Sequence, residues 1–297
     1  MSDYAIQQIV NGLSLGSLYA LVAIGFSLIY GVIRLVNFAH GDLMMVGAFA
    51  TFGLIATDHV PWVVLPLLVL VAGFLSGGLV ERLAFRSIRG APMITGFIVT
   101  LSVSVALQNL GLILLGAQPR NFSFPAVFRE RVALGGIDVA IIDLTIPAVT
   151  LLCAVLLTVF VKTTRMGIAM RAVSENTLAA RLMGISINRV VLLVFGIGGA
   201  LAALAGLFWG GKFGQIDPLM GFVPGLKAFV ATIIGGVGSL PGAILGGYIL
   251  GFAEVAFVGF LPAAYAGYRD AFVFGLLILI LLVRPSGLFG STEEERA

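Results

Sequence analysis

Charge is what this sequence has least of. Only 10% of its 297 residues are Asp, Glu, Lys or Arg, against 60% hydrophobic, whereas a soluble globular protein carries roughly 25% charge. Mean hydropathy is +1.12. A water-soluble chain of this length could not hide so much apolar surface, which argues against a soluble enzyme and for an integral membrane protein crossing in segments of about 20 apolar residues. Cysteine is nearly absent: Cys153 stands alone inside the run LTIPAVTLLCAVLLTVF. That excludes an intrachain disulfide framework or a thiol cluster for a metal, and leaves a packing role. The two histidines, His40 and His59, have no H-E-x-x-H spacing, and no G-x-S-x-G elbow occurs, so neither a metal site nor catalysis is expected. A P-loop is also missing. The Gly211-Lys212 pair is followed by Phe213, so this chain should not bind and hydrolyse ATP itself. The net charge of +3 comes without a basic tract or aromatic platform for nucleic acid and reads as basic loops beside a membrane. No Lys or Arg precedes the first apolar segment, so the basic start of a cleaved signal is lacking and the first span is expected to stay.

What is present is a succession of apolar segments punctuated by Gly, Pro and charge. Candidate crossings fall near 5–30, 40–57, 61–82, 93–116, 144–163, 189–210, 225–238, 241–260 and 271–284. They lack strict alternation and exceed the roughly 10 residues of a barrel strand, so the expected fold is an all-α polytopic bundle of about eight to nine spans in one domain covering 1–297. The segment 225–238 is too short for a straight crossing and is expected to be broken or re-entrant, which would reduce the count to eight. Arg82, Arg86 and Arg89 crowd one loop, and Lys162, Arg165, Arg171, Arg181 and Arg189 another two crossings later. Both loops should therefore lie on the cytoplasmic side, with the N-terminus outside and, after nine passages, Arg284 and the tail STEEERA inside. Loop 117–143 becomes a small external excursion. A Gly-rich helix pattern recurs loosely at the two ends, in 14–31 and 242–260.

Three stretches could carry function. GVIRLVNFAHGDLMMVG places Asn37, His40 and Asp42 between apolar segments beside Gly41. This reads either as a helix break on the translocation path or as an ordinary turn capped by Asn37 or Asp42. In GGVGSLPGAILGGYILG, Gly238, Gly242 and Gly246 recur every fourth residue. That spacing presents a small-residue face for close helix packing, with Pro241 marking a turn between half-helices. Lys212, Asp217, Lys227, Arg269 and Asp270 read mostly as solvated ends, whereas Glu254 sits in an apolar run and needs a structural partner or a polar cavity. The third stretch, 165–189, combines basic residues with Met170, Val173, Leu178, Leu182 and Ile185. It predicts a short amphipathic helix capped by Ser174 or Asn176, able to rest on anionic lipid or in the groove of a motor protein.

The blocks NGLSLGSLYALVAIGFSLIYGVIRLVNFAHGDLMMVGAFA, GIAMRAVSENTLAARLMGI and IIGGVGSLPGAILGG resemble the permeases of branched-chain amino acid ABC importers of the LivH type, over almost the whole chain. The resemblance implies a bacterial inner-membrane permease without catalytic residues or a cofactor of its own. It would pair with a related second permease, two cytoplasmic ATPases that hold ATP and Mg, and a periplasmic binding protein that delivers a small amino acid. It also implies a coupling loop of the E-A-A-x-x-x-G kind. Ala179, Ala180 and Gly184 match, Leu178 stands at the Glu position, and Glu175 lies one turn earlier. The expected coupling surface is Arg171, Glu175, Ala179, Ala180, Arg181 and Gly184. Rival readings are the same machinery carrying urea, short amides or other amino acids, an ion-coupled secondary transporter or channel using His40, Asp42 and Glu254, and a scaffold that transports nothing.

Overall fold

The computed structural model describes residues 2–57, 60–134 and 136–289; His59 and the tail STEEERA lie outside them. In chain order the elements are α1 (Ser2–Ile33), a 3-10 turn (Phe38–His40), α2 (Leu43–Ala56), α3 (Leu65–Val80) with a π-helical turn (Glu81–Phe85), α4 (Met93–Leu115), β1 (Arg120–Asn121), α5 (Ala126–Arg129), β2 (Arg131–Leu134), β3 (Ile137–Ala140) and α6 (Ile141–Thr163). They continue as α7 (Arg165–Glu175), α8 (Thr177–Leu182), α9 (Ile187–Phe213), β4 (Gln215–Ile216), α10 (Phe222–Gly235), α11 (Leu240–Phe260), a 3-10 turn (Ala263–Tyr268) and α12 (Arg269–Val283). Helix dominates because a hydrocarbon environment leaves backbone groups no water to bond, and a helix satisfies them within one segment. Among the described residues eight helical stretches are long and apolar enough to cross a membrane. The protein is a multi-pass membrane protein.

α1 and α9 form the buried centre, whereas α4, α6 and α12 turn most of their surface outward. Hydrocarbon chains solvate Leu as well as a protein core does, so such outward faces are stable in lipid and close approach must come from small residues. α1 and α11 run antiparallel through Gly16 against Tyr248 and Gly247 against Ala20. α3 meets α9 through Gly73 and Gly77 opposite Gly199. The two helices of the loose sequence pattern, α1 and α11, are thus each other's packing partners.

Gly242 and Gly246 do what their spacing predicts, facing Gly235 and Ala231 of α10 across a contact with no room for a Cβ. Gly238 does not belong to that face. It precedes α11, with φ +87°, in the turn between α10 and α11, against Gly31. Its role is conformational, since L side chains resist that backbone region. Pro241 occupies the first turn of α11, where its missing N–H costs nothing, and Ser239 caps the helix by accepting from the Gly242 amide at 3.2 Å.

The segment 225–238 belongs to a broken passage, one of the two expected forms, but it is not re-entrant. α10 does not return to the end it came from. β4 pairs with β1 at the end of the bundle remote from α7, whereas Gly235 at the other end of α10 packs on Gly242 near the start of α11. Residues 214–235 therefore traverse the bundle once, first as irregular chain and then as the short helix α10. Residues 34–56 do the same in the opposite direction. The described residues make nine traverses although one helix is short, and Leu288 and Phe289 lie at the α7 end, donating to Ile234 and Gly235 carbonyls at 2.9 and 3.0 Å. The two Arg-rich loops share that end, as their charge implied, and residues 120–140 occupy the opposite one.

Candidate functional site: two broken passages between two cavities

Near mid-depth the two irregular passages meet. α1 ends at Ile33, Arg34 takes a positive φ of 53°, and the chain turns back into the bundle before the Phe38–His40 turn. Gly41 then lies against Gly221 and Gly225 so closely that a Cβ at Gly41 would sit 2.7 Å from the Gly225 Cα, and one at Gly225 2.6 Å from the Gly41 Cα. Two helix starts, those of α2 and α10, thus face each other inside the protein, where only glycine permits the approach. Irregular backbone at this depth is tolerated where protein or an aqueous cavity surrounds it.

The polar residues of the first break are buried here: Asn37 and Asp42 are each 1% exposed, and His40 is fully enclosed. The reading of Asn37 or Asp42 as a surface cap is overturned, because neither side chain caps a helix. Asp42 instead accepts from Ser104 Oγ at 2.5 Å and Gln108 Nε2 at 3.0 Å, tying the start of α2 to the middle of α4. His40 Nε2 lies 3.2 Å from the Val22 carbonyl, and its ring packs edge-on to Phe26. Both amide atoms of Asn37 and His40 Nδ1 have no protein partner among the described residues. His40, Asp42 and Glu254 each have separate partners, and no hydrogen bond joins them among the described residues, so they form no continuous relay.

A second polar constellation lies toward the end remote from α7. Lys227 of α10 is buried and donates to Glu254 of α11 at 2.9 Å, and its ammonium lies 2.8 Å from Asp270 of α12. Arg269 approaches Glu254 through Nε at 3.1 Å, and the Tyr19 hydroxyl donates to the other Glu254 oxygen at 2.8 Å. Glu254 therefore has the structural partners its apolar run demanded. Lys227 corrects the expectation of a solvated end: burial and pairing with two carboxylates go together, as buried charge requires. Nearer the same end, Lys212 pairs with Asp143, and Ser14 bonds both.

Lys212, Lys227, Glu254, Arg269 and Asp270 border a cavity of about 630 Å³, whose inner wall includes Met220 before α10 and Val223 and Pro224 in its first turn. At the α7 end a cavity of about 650 Å³ is bordered by Arg34, Leu35, Arg89, Gly96 and Glu175. Each cavity thus reaches one of the two broken passages, and the Gly41–Gly225 contact holds those passages together. Beside the second cavity, buried Glu81 pairs with Arg89, which also donates to Asn188 Oδ1 at 2.5 Å. Burial lowers the Arg89 pKa from its ordinary value.

Segment 165–189 is two helices, not one. Thr164 caps α7 by accepting from the Gly167 amide at 3.0 Å, and Asn176 caps α8 through the Ala179 amide at 2.9 Å. Ser174 caps neither; it bonds back to the Arg171 carbonyl. Met170 and Val173 point into the bundle, whereas Leu178, Leu182 and Met183 are 67%, 81% and 83% exposed. Of the expected coupling residues, Arg171, Glu175, Ala179 and Arg181 are exposed and Gly184 closes α8 with φ +83°, but Ala180 is buried beneath them. Glu175 ends α7 and stands across the helix break from α8, so it does not replace a Glu at position 178. Leu178 and Leu182, two of the expected apolar contacts, and Met183 form an exposed ridge on positions that A-A-x-x-x-G does not specify.

The family model for the branched-chain amino acid transport system permease component matches residues 8–281. The high-affinity branched-chain amino acid transport system permease protein LivH of Salmonella typhimurium is 39% identical, over 99% of this chain and 98% of its own length. Its counterpart BraD of Pseudomonas aeruginosa is 38% identical over 98% and 97%. The ribose import permease protein RbsC of Haemophilus influenzae is 25% identical over 85% and 78%. Broken apolar passages, cavities toward both ends and end-to-end likeness agree: the chain belongs to the family of branched-chain amino acid transport system permease components.

Proposed function

We propose that this protein is the permease subunit of an ATP-driven importer that carries branched-chain amino acids across the bacterial inner membrane. The observation that carries the ATP-driven part is the ridge of Leu178, Leu182 and Met183, left bare on α8 in a chain without a P-loop. Exposed apolar side chains on a short capped helix among basic residues suit the groove of a protein partner. An ATPase seated there places the α7 end in the cytoplasm, in keeping with its Arg-rich loops. The opposite end, with its charged cavity, then faces the periplasmic binding protein. ATP and Mg belong to the ATPase pair, and a related second permease completes the membrane unit.

In this reading transport shifts the broken passages around Gly41 and Gly225, so that the cavities open in turn. Moving such an equilibrium from 1:99 to 99:1 takes about 5.5 kcal/mol of differential interaction, more than a surface ion pair of about 0–1 kcal/mol supplies. The whole α7–α8 unit must therefore engage. The experiment is reconstitution in proteoliposomes with the ATPases, partner permease and binding protein that co-purify with it from native membrane. ATP-dependent accumulation of leucine, isoleucine or valine is expected. Accumulation of urea or short amides in their place would overturn the cargo, and accumulation without the ATPases would overturn the energy source.

A further inference from the structure

We propose that the charged cavity remote from α7 is a binding site for the zwitterionic end of an amino acid, with Arg269 and Lys227 taking the carboxylate and Asp270 and Glu254 the ammonium. This rests on the transport reading above and adds to it a place where the permease itself holds cargo. The cavity runs from Asn11 and Asp217 near the bundle end to Tyr19 and Lys227 at mid-depth. Its volume, about 630 Å³, lies within the roughly 300–1,000 Å³ of small-molecule sites.

The charges are more than a structural pair needs. Lys227 and Glu254, 2% exposed, already neutralise each other at 2.9 Å. Arg269 and Asp270 add a second cation and a second anion, and both are about half exposed. Two cations and two anions in one neutral cluster can exchange partners with a zwitterion without leaving any charge unpaired. A cargo carrying only an ammonium or only a carboxylate would leave one buried charge uncompensated, which is costly at this depth. A guanidinium is also suited to a carboxylate by its fixed fork of donors. Leu15, Val223 and Val255 supply an apolar wall beside the charges, where an aliphatic side chain would lie. The start of α10, which closes on Gly41, forms the inner wall, so cargo here would touch the element that must move.

The test uses the permease assembled with its partner permease and ATPases, in nanodiscs for binding and, with the binding protein added, in proteoliposomes for transport. Saturation-transfer NMR on the nanodisc complex without the binding protein compares leucine with 4-methylpentanoate, which lacks the ammonium, and 3-methylbutylamine, which lacks the carboxylate. Leucine should bind at least tenfold more tightly than either. Arg269→Gln should reduce leucine affinity about tenfold and erase its advantage over the amine; Asp270→Asn should erase its advantage over the carboxylate. Both residues are half exposed, so each variant serves if the other fails to assemble, and Arg269→Lys should restore part of the lost affinity. Equal binding of all three compounds, or variants that change affinity for all three alike, would overturn the site and assign the cluster to structure. Wild-type vesicles that accumulate leucine while Arg269→Gln and Asp270→Asn leave its binding unchanged would overturn this inference alone. Wild-type vesicles that accumulate no branched-chain amino acid would overturn the transport reading and this site with it.

Discussion

At Gly41 and Gly225 a single hydrogen on each Cα decides whether two helix starts can face each other inside the membrane domain. Adding side-chain volume there meets backbone, which cannot rotate away. Gly225→Val should destabilise the protein by about 1–3 kcal/mol, the usual range for overpacking, and lower its thermal midpoint in detergent. Gly53→Val, at a position with open space around it, should not. Asp42 makes a complementary prediction. Its carboxylate is bound by Ser104 and Gln108, so Ser104→Ala should cost more in wild type than in an Asp42→Leu background. The expected coupling is about 0.6–1.7 kcal/mol, from the average to the largest measured between membrane helices. A double-mutant cycle of unfolding in detergent reads it directly.

At the scale of elements, the α7–α8 pair shows how a short apolar ridge can be held out of the core. Separate caps at Thr164 and Asn176 start two helices, α7 buries Met170 and Val173, and the bend at Asn176 turns Leu178 and Leu182 outward. Leu182→Asp should leave insertion and thermal stability unchanged while reducing co-purification of the ATPase at least tenfold. Retention of the ATPase at wild-type yield would refute the docking surface. The π-helical turn after α3 is a different device: it buries Glu81, and Arg89 must answer that charge while also reaching Asn188. Arg89→Ala should cost about 3 kcal/mol, because removing one partner strands a buried carboxylate. Arg89→Ala combined with Glu81→Leu should recover most of it in a thermal melt.

Over the whole molecule, nine traverses place the beginning of α1 and the end of α12 at opposite ends of the bundle. In a Cys153→Ser background, cysteines at Thr57 and Ser87 should therefore react with an impermeant maleimide from opposite sides of the membrane, Ser87→Cys only from the cytoplasm. Labelling of both from one side would contradict the topology. The separate partners of His40, Asp42 and Glu254 bear on the energy source. Uptake into vesicles supplied with ATP should survive collapse of the proton gradient and stop when ATP is removed.

The sequence alone determined the membrane class and the helical architecture, through hydropathy, and the common side of the two Arg-rich loops, through the placement of their charges. Each follows from the cost of placing charge or unpaired backbone in hydrocarbon, a cost that every segment meets locally. The need of Glu254 for a partner was legible for the same reason, and so was the close packing at Gly242 and Gly246. That the partner is Lys227, that Gly238 is a turn rather than part of a helix face, and that residues 214–235 complete a passage instead of doubling back were decided only by tertiary structure. These depend on which distant segments come to lie at the same depth. A lysine in a short apolar segment reads the same whether water or a carboxylate 27 residues later meets its ammonium, and only the packing of α10 against α11 and α12 decides between them.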